Sequence, residues 1–121
     1  MSEINLAFVG SGKTLRNCID VVKEYNRSST DCSIHIKHVF IDPSKGFFDH
    51  KLPEQLNSEE ISASVAEKIN STDTIQTVKK LNIDYLISVN NHQILKKELI
   101  AVPERAVLNF HNGPLPKYGG L

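Results

Sequence analysis

The sequence has no excess of either charge and no long apolar run. It carries 14 Lys and Arg residues against 14 Asp and Glu residues in 121, whereas proteins that bind nucleic acids or membrane surfaces normally show a basic excess. No apolar run approaches the ~18 residues that span a bilayer. We therefore expect no nucleic-acid partner and no membrane partner. The composition, with 40% hydrophobic and 23% charged residues, is typical of one globular domain.

The cysteine and histidine residues are few and lack the spacings typical of redox or metal-binding motifs. Cys18 and Cys32 lack CxxC spacing, so we predict two reduced thiols. His35 and His38, three residues apart on a predicted strand, should face opposite sides, and the other histidines are scattered, so no metal site is predicted. The first residues lack the basic region of a signal peptide, and we expect a cytoplasmic protein.

Apolar runs bounded by turn residues predict four strands. Apolar residues at helical spacing predict helices between them, one of which would begin at Asn57 and bury Ile61, Val65 and Ile69. The predicted strands cover residues 4–9, 32–41, 84–89 and 106–110, and the other predicted helices cover 15–25, 75–81 and 94–100. This alternation predicts an α/β fold in which a mostly parallel sheet has helices on both faces.

Ligands bind such sheets at the carboxyl ends of the strands, where the first candidate is Gly10-Ser11-Gly12-Lys13-Thr14. These residues fit a relaxed phosphate-loop pattern, but Ala7, at the position of the first glycine, lies inside the predicted strand. The remaining loop is too short to wrap a triphosphate. A single phosphate or carboxylate could still bind where residues 12–14 open a helix, and a solvated Lys13 is the alternative. A non-catalytic nucleotide- or anion-binding module therefore stays open as a function.

The second candidate is the pair Asn109 and His111, which share one face at the carboxyl end of the last predicted strand. An amide donor beside an imidazole suits acyl transfer, because the amide can polarise a carbonyl while the imidazole moves a proton. The alternative is that both side chains only cap the strand end. The pair alone favours this second interpretation, and only the longer string around it favours the first.

The longer string around this pair, LNFHNGPLPKYGG over residues 108–120, resembles the signature of the folate-dependent formyltransferases. This family includes the glycinamide ribonucleotide, methionyl-tRNA, sugar N- and peptide-synthetase formyltransferases. Its members carry N-x-H followed by an LP element and an aromatic-glycine turn. Upstream, residues 10–15 are similar to the glycine-rich turn near the substrate phosphate. Residues 84–89 are similar to the strand before the folate loop, and residues 93–95 fall where that loop contacts the pterin.

The resemblance implies a Rossmann-like fold of the formyltransferase type and transfer of a formyl group from 10-formyltetrahydrofolate to a small-molecule or carrier-bound amine. Asn109 would stabilise the formyl oxyanion, and His111 would assist proton transfer. The implied folate-binding residues are Gln93, Ile94, Leu95 and Val107, and the implied substrate-binding residues are Gly12, Lys13 and Thr14. For Ile94, Leu95 and Val107, ordinary core packing is the open alternative.

The chain departs from the family at two points. Residues 112–116 read NGPLP where the family often has Ser and Leu before the LP element, which favours the peptide-synthetase type. The family's third catalytic residue, an Asp, lies several tens of residues beyond N-x-H, whereas this chain ends at Leu121. We therefore expect residues 1–121 to be the incomplete N-terminal part of a catalytic domain, poorly active alone. The alternative is a short homologue that forms a homodimer.

Overall fold

The computed structural model describes residues 2–44 and 49–110, in which strands and helices alternate. The elements are β1 (Ser2–Gly10), α1 (Gly12–Ser28), β2 (Cys32–Ile41), α2 (Leu52–Ser58), β3 (Ala63–Val65), α3 (Thr72–Lys80), β4 (Tyr85–Val89), α4 (Lys97–Ile100) and β5 (Ala106–Phe110). The strands form one sheet in the order β3-β2-β1-β4-β5, and every pair is parallel. The predicted α/β fold with a parallel sheet is confirmed.

The sheet separates two apolar cores, because successive side chains of a strand point to opposite faces. In the central strand β1, Leu6 and Phe8 join one core, and Ala7 and Val9 join the other. Helices α1 and α2 cover the first core, and α3 and α4 cover the second. Helices therefore lie on both faces, as predicted. A strand buried on both faces reads as a continuous apolar run, which is why β1 was recognisable in the sequence.

The predicted helix that begins at Asn57 is wrong. Asn57 lies near the end of α2, and Glu60 adopts a left-handed backbone conformation (φ 63°) that ends the helical segment. The chain then enters β3, whose three residues pair with the end of β2. Ile61 and Ile69 have helical spacing but are buried in the two different cores, so the spacing arises from a chain that passes around the sheet edge. Tertiary packing outweighs local periodicity here.

Helix α4 is shorter than the predicted helix over residues 94–100. It begins only at Lys97, and the three residues before it are extended or irregular. The side chain of Asn70 binds the backbone there, donating to the Ile94 carbonyl and accepting from the Lys96 N–H at 2.8 Å each. Because these groups are directed at Asn70, the segment forms a loop instead of a first helical turn.

An ion-pair cluster joins α1 to the end of α2. The Arg16 guanidinium donates to both carboxylate oxygens of Glu59 at 2.8 and 2.6 Å, and Lys23 Nζ lies 2.7 Å from Oε1. The hydrogen bonds from Arg16, followed by that from Lys23, lower the pKa of Glu59 to about 2. The three side chains are 25–34% exposed, so water and salt screen the attraction.

We expect Glu59→Gln to lower the free energy of unfolding by about 1 kcal/mol at pH 7 and low salt, because the two cations lose their carboxylate. The folded-state pKa lies below the ordinary value of 4.5. The difference from wild type should therefore be complete above that pH and shrink as the pH falls towards 2. Urea denaturation at several pH values measures this difference. Glu67→Gln, at an exposed carboxylate for which the described residues provide no ion pair, is the control. Equal losses in both variants would contradict the expectation.

Candidate functional site

The ends of β1 and β4 are in close backbone contact at the carboxyl edge of the sheet. A Cβ atom at Gly10 would lie 1.7 Å from the Val89 carbonyl oxygen, so only glycine fits there. The next residue, Ser11, is fully buried, donates its N–H to the same carbonyl at 3.2 Å and donates its hydroxyl to the Asn90 carbonyl at 3.1 Å. In the sheet, β2 lies on one side of β1 and β4 lies on the other, and the chain passes from β1 through α1 to β2. Ligands of open α/β sheets bind at such a switch point.

The glycine-rich turn is short, as the sequence predicts. Ser11 alone separates β1 from α1, and Gly12 has φ 78°, a left-handed conformation that favours glycine. The Ser11 hydroxyl bonds Asn90 and does not cap the helix. The first turn of α1 contains no acidic residue, and Lys13 on it is exposed. The turn is too short for a triphosphate, but its N–H groups suit a single anion.

Asp42, immediately after β2, connects three segments of this edge. Its N–H donates to the Gly10 carbonyl at 2.7 Å. Its carboxylate accepts from the His92 N–H at 2.8 Å, from the Gln93 amide at 3.0 Å and from the Ser44 hydroxyl at 2.6 Å. Burial raises the pKa of Asp42, but the hydrogen bonds from Ser44, His92 and Gln93 outweigh it and leave the pKa below its usual value. At neutral pH Asp42 is therefore a buried anion.

The Gln93 side chain ties the β4–α4 loop (residues 90–96) to the segment that precedes α3. Its amide nitrogen donates to the Ala66 carbonyl at 2.7 Å as well as to Asp42, and its amide oxygen accepts from the Ile69 N–H at 2.8 Å. The two hydrogen bonds from the Asn70 side chain hold the same loop at the Ile94 carbonyl and at the Lys96 N–H. The loop thus has a defined backbone although it contains no regular secondary structure.

The structure brings together most of the folate-binding residues that the sequence predicts. Leu95 on the loop and Val107 on β5 are half-buried and pack against the same core, on the face covered by α3 and α4. Ile94, beside Leu95, leaves 74% of its surface exposed. Ordinary core packing, the alternative to ligand binding, therefore explains part of the burial of Leu95 and Val107. It does not explain the position of Ile94. Ligand binding by these residues stays a prediction.

Of the predicted catalytic pair, the structure describes one member. Asn109 is exposed near the carboxyl end of β5, on the same face as Val107, and pairs in register with Ser88 of β4. This position places it one strand away from the β4–α4 loop. His111 lies outside the described residues.

Sequence reasoning missed Asp42 and Asn70. Asp42 follows the buried end of β2, so the rule that directed attention to the ends of the other strands could have found it. Asn70 carried no comparable signal, because its segment was predicted as a helix. Its role depends on how the chain returns to the sheet after β3.

The two histidines of β2 share a face, contrary to the prediction. A register shift in the β1–β2 pairing places His35 opposite Asn5 and His38 opposite Ala7, which point the same way. His35 contacts a glutamate of β1 at 3.1 Å, and both ring nitrogens of His38 bond serine hydroxyls at 2.8 Å. Among residues 2–44 and 49–110, no group of three His, Cys, Asp or Glu side chains could hold a metal ion.

A cavity of about 400 Å³ lies elsewhere, between β2, β3 and the start of α3. Its lining includes His38, Phe40, Ser64 and Thr74, and it contains none of the site residues predicted from the sequence. No helix in the described part of the chain has the length and apolar character needed to cross a membrane.

Comparisons with known proteins bear on this arrangement. No protein-family model matches the chain. Methionyl-tRNA formyltransferase of Blochmanniella pennsylvanica is 27% identical over 89 residues, which cover 73% of this chain and 27% of that protein. Methionyl-tRNA formyltransferase of Methylacidiphilum infernorum is 41% identical over 54 residues, covering 45% of this chain and 17% of that protein. Part of this chain is thus similar in sequence to methionyl-tRNA formyltransferases.

A solved structure supports the same fold. Glycinamide ribonucleotide transformylase 1 from Geobacillus kaustophilus matches with a TM-score of 0.69 and 21% identity, covering 97% of this chain and 62% of that chain. The predicted Rossmann-like fold of the formyltransferase type is thereby confirmed. The chain spans only part of the length of each of these three proteins.

We expect Gly10→Ala to destabilise the chain by at least ~3 kcal/mol, because the new methyl group collides with backbone that cannot rotate away. Gly12→Ala is the comparison, since the left-handed backbone at Gly12 (φ 78°) makes a Cβ there cost ~1–2 kcal/mol. Urea denaturation followed by circular dichroism measures both losses. A Gly10→Ala variant as stable as wild type would contradict the close approach of β1 and β4.

Proposed function

We propose that the chain is the N-terminal part of a catalytic domain that transfers a formyl group from 10-formyltetrahydrofolate to an amine. The observation that carries this proposal is the position of Asn109, exposed at the carboxyl end of β5 beside the strand that opens into the β4–α4 loop. The similarity to methionyl-tRNA formyltransferases and the string over residues 108–120 support it.

The residues of the β4–α4 loop fit a flat, partly apolar ring such as the pterin of the donor. Ile94 presents an exposed apolar side chain on a backbone that side chains outside the loop hold in place. Gln93, Ile94 and Leu95 would hold the ring through backbone groups and apolar contact, and Val107 would pack beneath it. When bound, the donor supplies the formyl carbon and leaves as tetrahydrofolate.

Asn109 would act on the formyl oxygen. As the amine nitrogen attacks the formyl carbon, negative charge develops on that oxygen, and the Asn109 amide would donate a hydrogen bond to it. One such donor contributes about 3–4 kcal/mol to transition-state stabilisation. The new carbon–nitrogen bond forms while the bond to the donor nitrogen breaks. The proton lost by the amine passes to that nitrogen, and His111 is proposed to assist this transfer.

The turn at residues 12–14 would bind an anionic group of the acceptor, such as a phosphate. Exposed Lys13 and the free N–H groups expected at the start of a 17-residue helix support this role. The acceptor would be a small-molecule or carrier-bound amine. A non-catalytic anion-binding module would use the same turn, but it gives Asn109 no function. Substitution of Asn109 therefore separates the two proposals.

We expect Asn109→Ala to slow formyl transfer about 10²- to 10³-fold, because one donor to the oxyanion is lost. The sheet should stay folded, because the side chain is exposed and β5 pairs with β4 through its backbone, and the melting temperature checks this. The 121-residue chain is mixed in excess with 10-formyltetrahydrofolate and a panel of amines, and formamide products are quantified by mass spectrometry. An excess of protein keeps slow single turnovers measurable.

Asn57→Ala, at an exposed asparagine on α2, is the matched control and should transfer formyl groups like wild type. Equal rates for Asn109→Ala and wild type would refute the assigned role. A wild-type chain that neither binds the donor nor forms any formamide would refute the proposed function of the chain.

A further inference from the structure

We propose that Asn70 and Asp42 are positioning residues that hold the β4–α4 loop in the conformation that binds the formyl donor. The inference rests on the proposed function, because it concerns how the loop is prepared for that donor. Neither residue belongs to the loop. Asn70 precedes α3, and Asp42 follows β2, so the loop is held from two separate elements.

Asn70 fixes the C-terminal part of the loop, residues 94–96, with both the nitrogen and the oxygen of its side-chain amide. Its nitrogen donates to the Ile94 carbonyl and its oxygen accepts from the Lys96 N–H, each at 2.8 Å. These two backbone groups lie on either side of Leu95, so a single side chain sets the path of residues 94–96. It also directs the Ile94 carbonyl towards the segment that precedes α3 and thereby influences which backbone groups of the loop face a ligand.

Asp42 fixes the middle of the loop, at residues 92 and 93. Its carboxylate accepts from the His92 N–H at 2.8 Å and from the Gln93 side chain at 3.0 Å. Gln93 in turn binds the backbone at Ala66 and Ile69, immediately before Asn70. The two anchors are therefore linked through Gln93, and movement at one changes the other.

Apolar packing holds only part of the loop, because Leu95 packs against the core on the α3–α4 face and its neighbours on the loop do not. Ile94 leaves 74% of its surface exposed, and Asn90 at the start of the loop has a left-handed backbone (φ 50°). A loop of this kind samples several conformations unless hydrogen bonds restrict it. If only a fraction of molecules has the binding conformation, the apparent dissociation constant rises by the inverse of that fraction. Loss of an anchor should therefore weaken donor binding while the folded sheet persists.

The decisive variant is Asn70→Ala, compared with Asn26→Ala. Asn26 is a close match, because its exposed amide also makes two bonds to backbone, with the Ile34 carbonyl at 2.7 Å and the Ile34 N–H at 2.9 Å, far from the loop in the chain. Asn70→Asp is the second variant, since it keeps an acceptor for the Lys96 N–H but replaces the donor to the Ile94 carbonyl with a carboxylate oxygen, which repels that carbonyl.

Two measurements are made on the 121-residue chain. Amide hydrogen exchange by NMR, without donor, reports on the loop, and titration calorimetry with 10-formyltetrahydrofolate gives the dissociation constant. In Asn70→Ala we expect the Lys96 amide to exchange at least ~10-fold faster and the dissociation constant to rise about 10- to 30-fold, the equivalent of two ordinary hydrogen bonds. Asn70→Asp should also speed the exchange and raise the dissociation constant, because two acceptor oxygens then face each other, and Asn26→Ala should change neither quantity by more than ~2-fold.

Unchanged exchange at Lys96 in Asn70→Ala would overturn the inference, and so would faster exchange with an unchanged dissociation constant. Either result leaves the proposed function intact, because wild type still binds the donor. If wild type itself binds no donor, the proposed function fails and this inference fails with it. An equal loss of affinity in Asn26→Ala would also overturn the inference, since general destabilisation would then explain the effect.

Discussion

The Asp42 carboxylate accepts hydrogen bonds from Ser44, from the His92 N–H and from the Gln93 side chain, although the residue is fully buried. A buried anion is costly unless donors replace the water it loses. Here the donors come from the segments that form the candidate site, so the requirement to satisfy one charge fixes their relative positions. The Asp42 N–H also donates to the Gly10 carbonyl and so connects the end of β1 to these segments.

The second constraint on the site is the close approach of β1 and β4. Gly10 lets the Val89 carbonyl approach to a distance that no side chain permits, and buried Ser11 then binds the carbonyls of Val89 and Asn90. The turn that opens α1 and the loop that follows β4 are therefore parts of one rigid edge. A site that positions an acceptor on one segment and a donor on the other requires such a connection.

The sequence was sufficient for the parts of the fold that local pattern controls. Strand β1 reads as a buried apolar run, α1 shows helical periodicity, and Asn109 falls at the end of β5 as predicted. The segment after Asn57 was mispredicted because Ile61 and Ile69 have helical spacing yet enter different cores. The roles of Asp42 and Asn70 depend on partners that are distant in the chain, which composition and spacing do not reveal.

In the proposed function, the edge formed by β1, β4 and β5 binds the formyl donor. NMR titration of the ¹⁵N-labelled chain with 10-formyltetrahydrofolate tests it most directly, because every backbone N–H reports its own surroundings. We expect shift changes concentrated in residues 90–96 and 107–110, with smaller changes at 10–14. Shift changes confined to the cavity between β2, β3 and α3, or no changes at donor concentrations in the millimolar range, would contradict it.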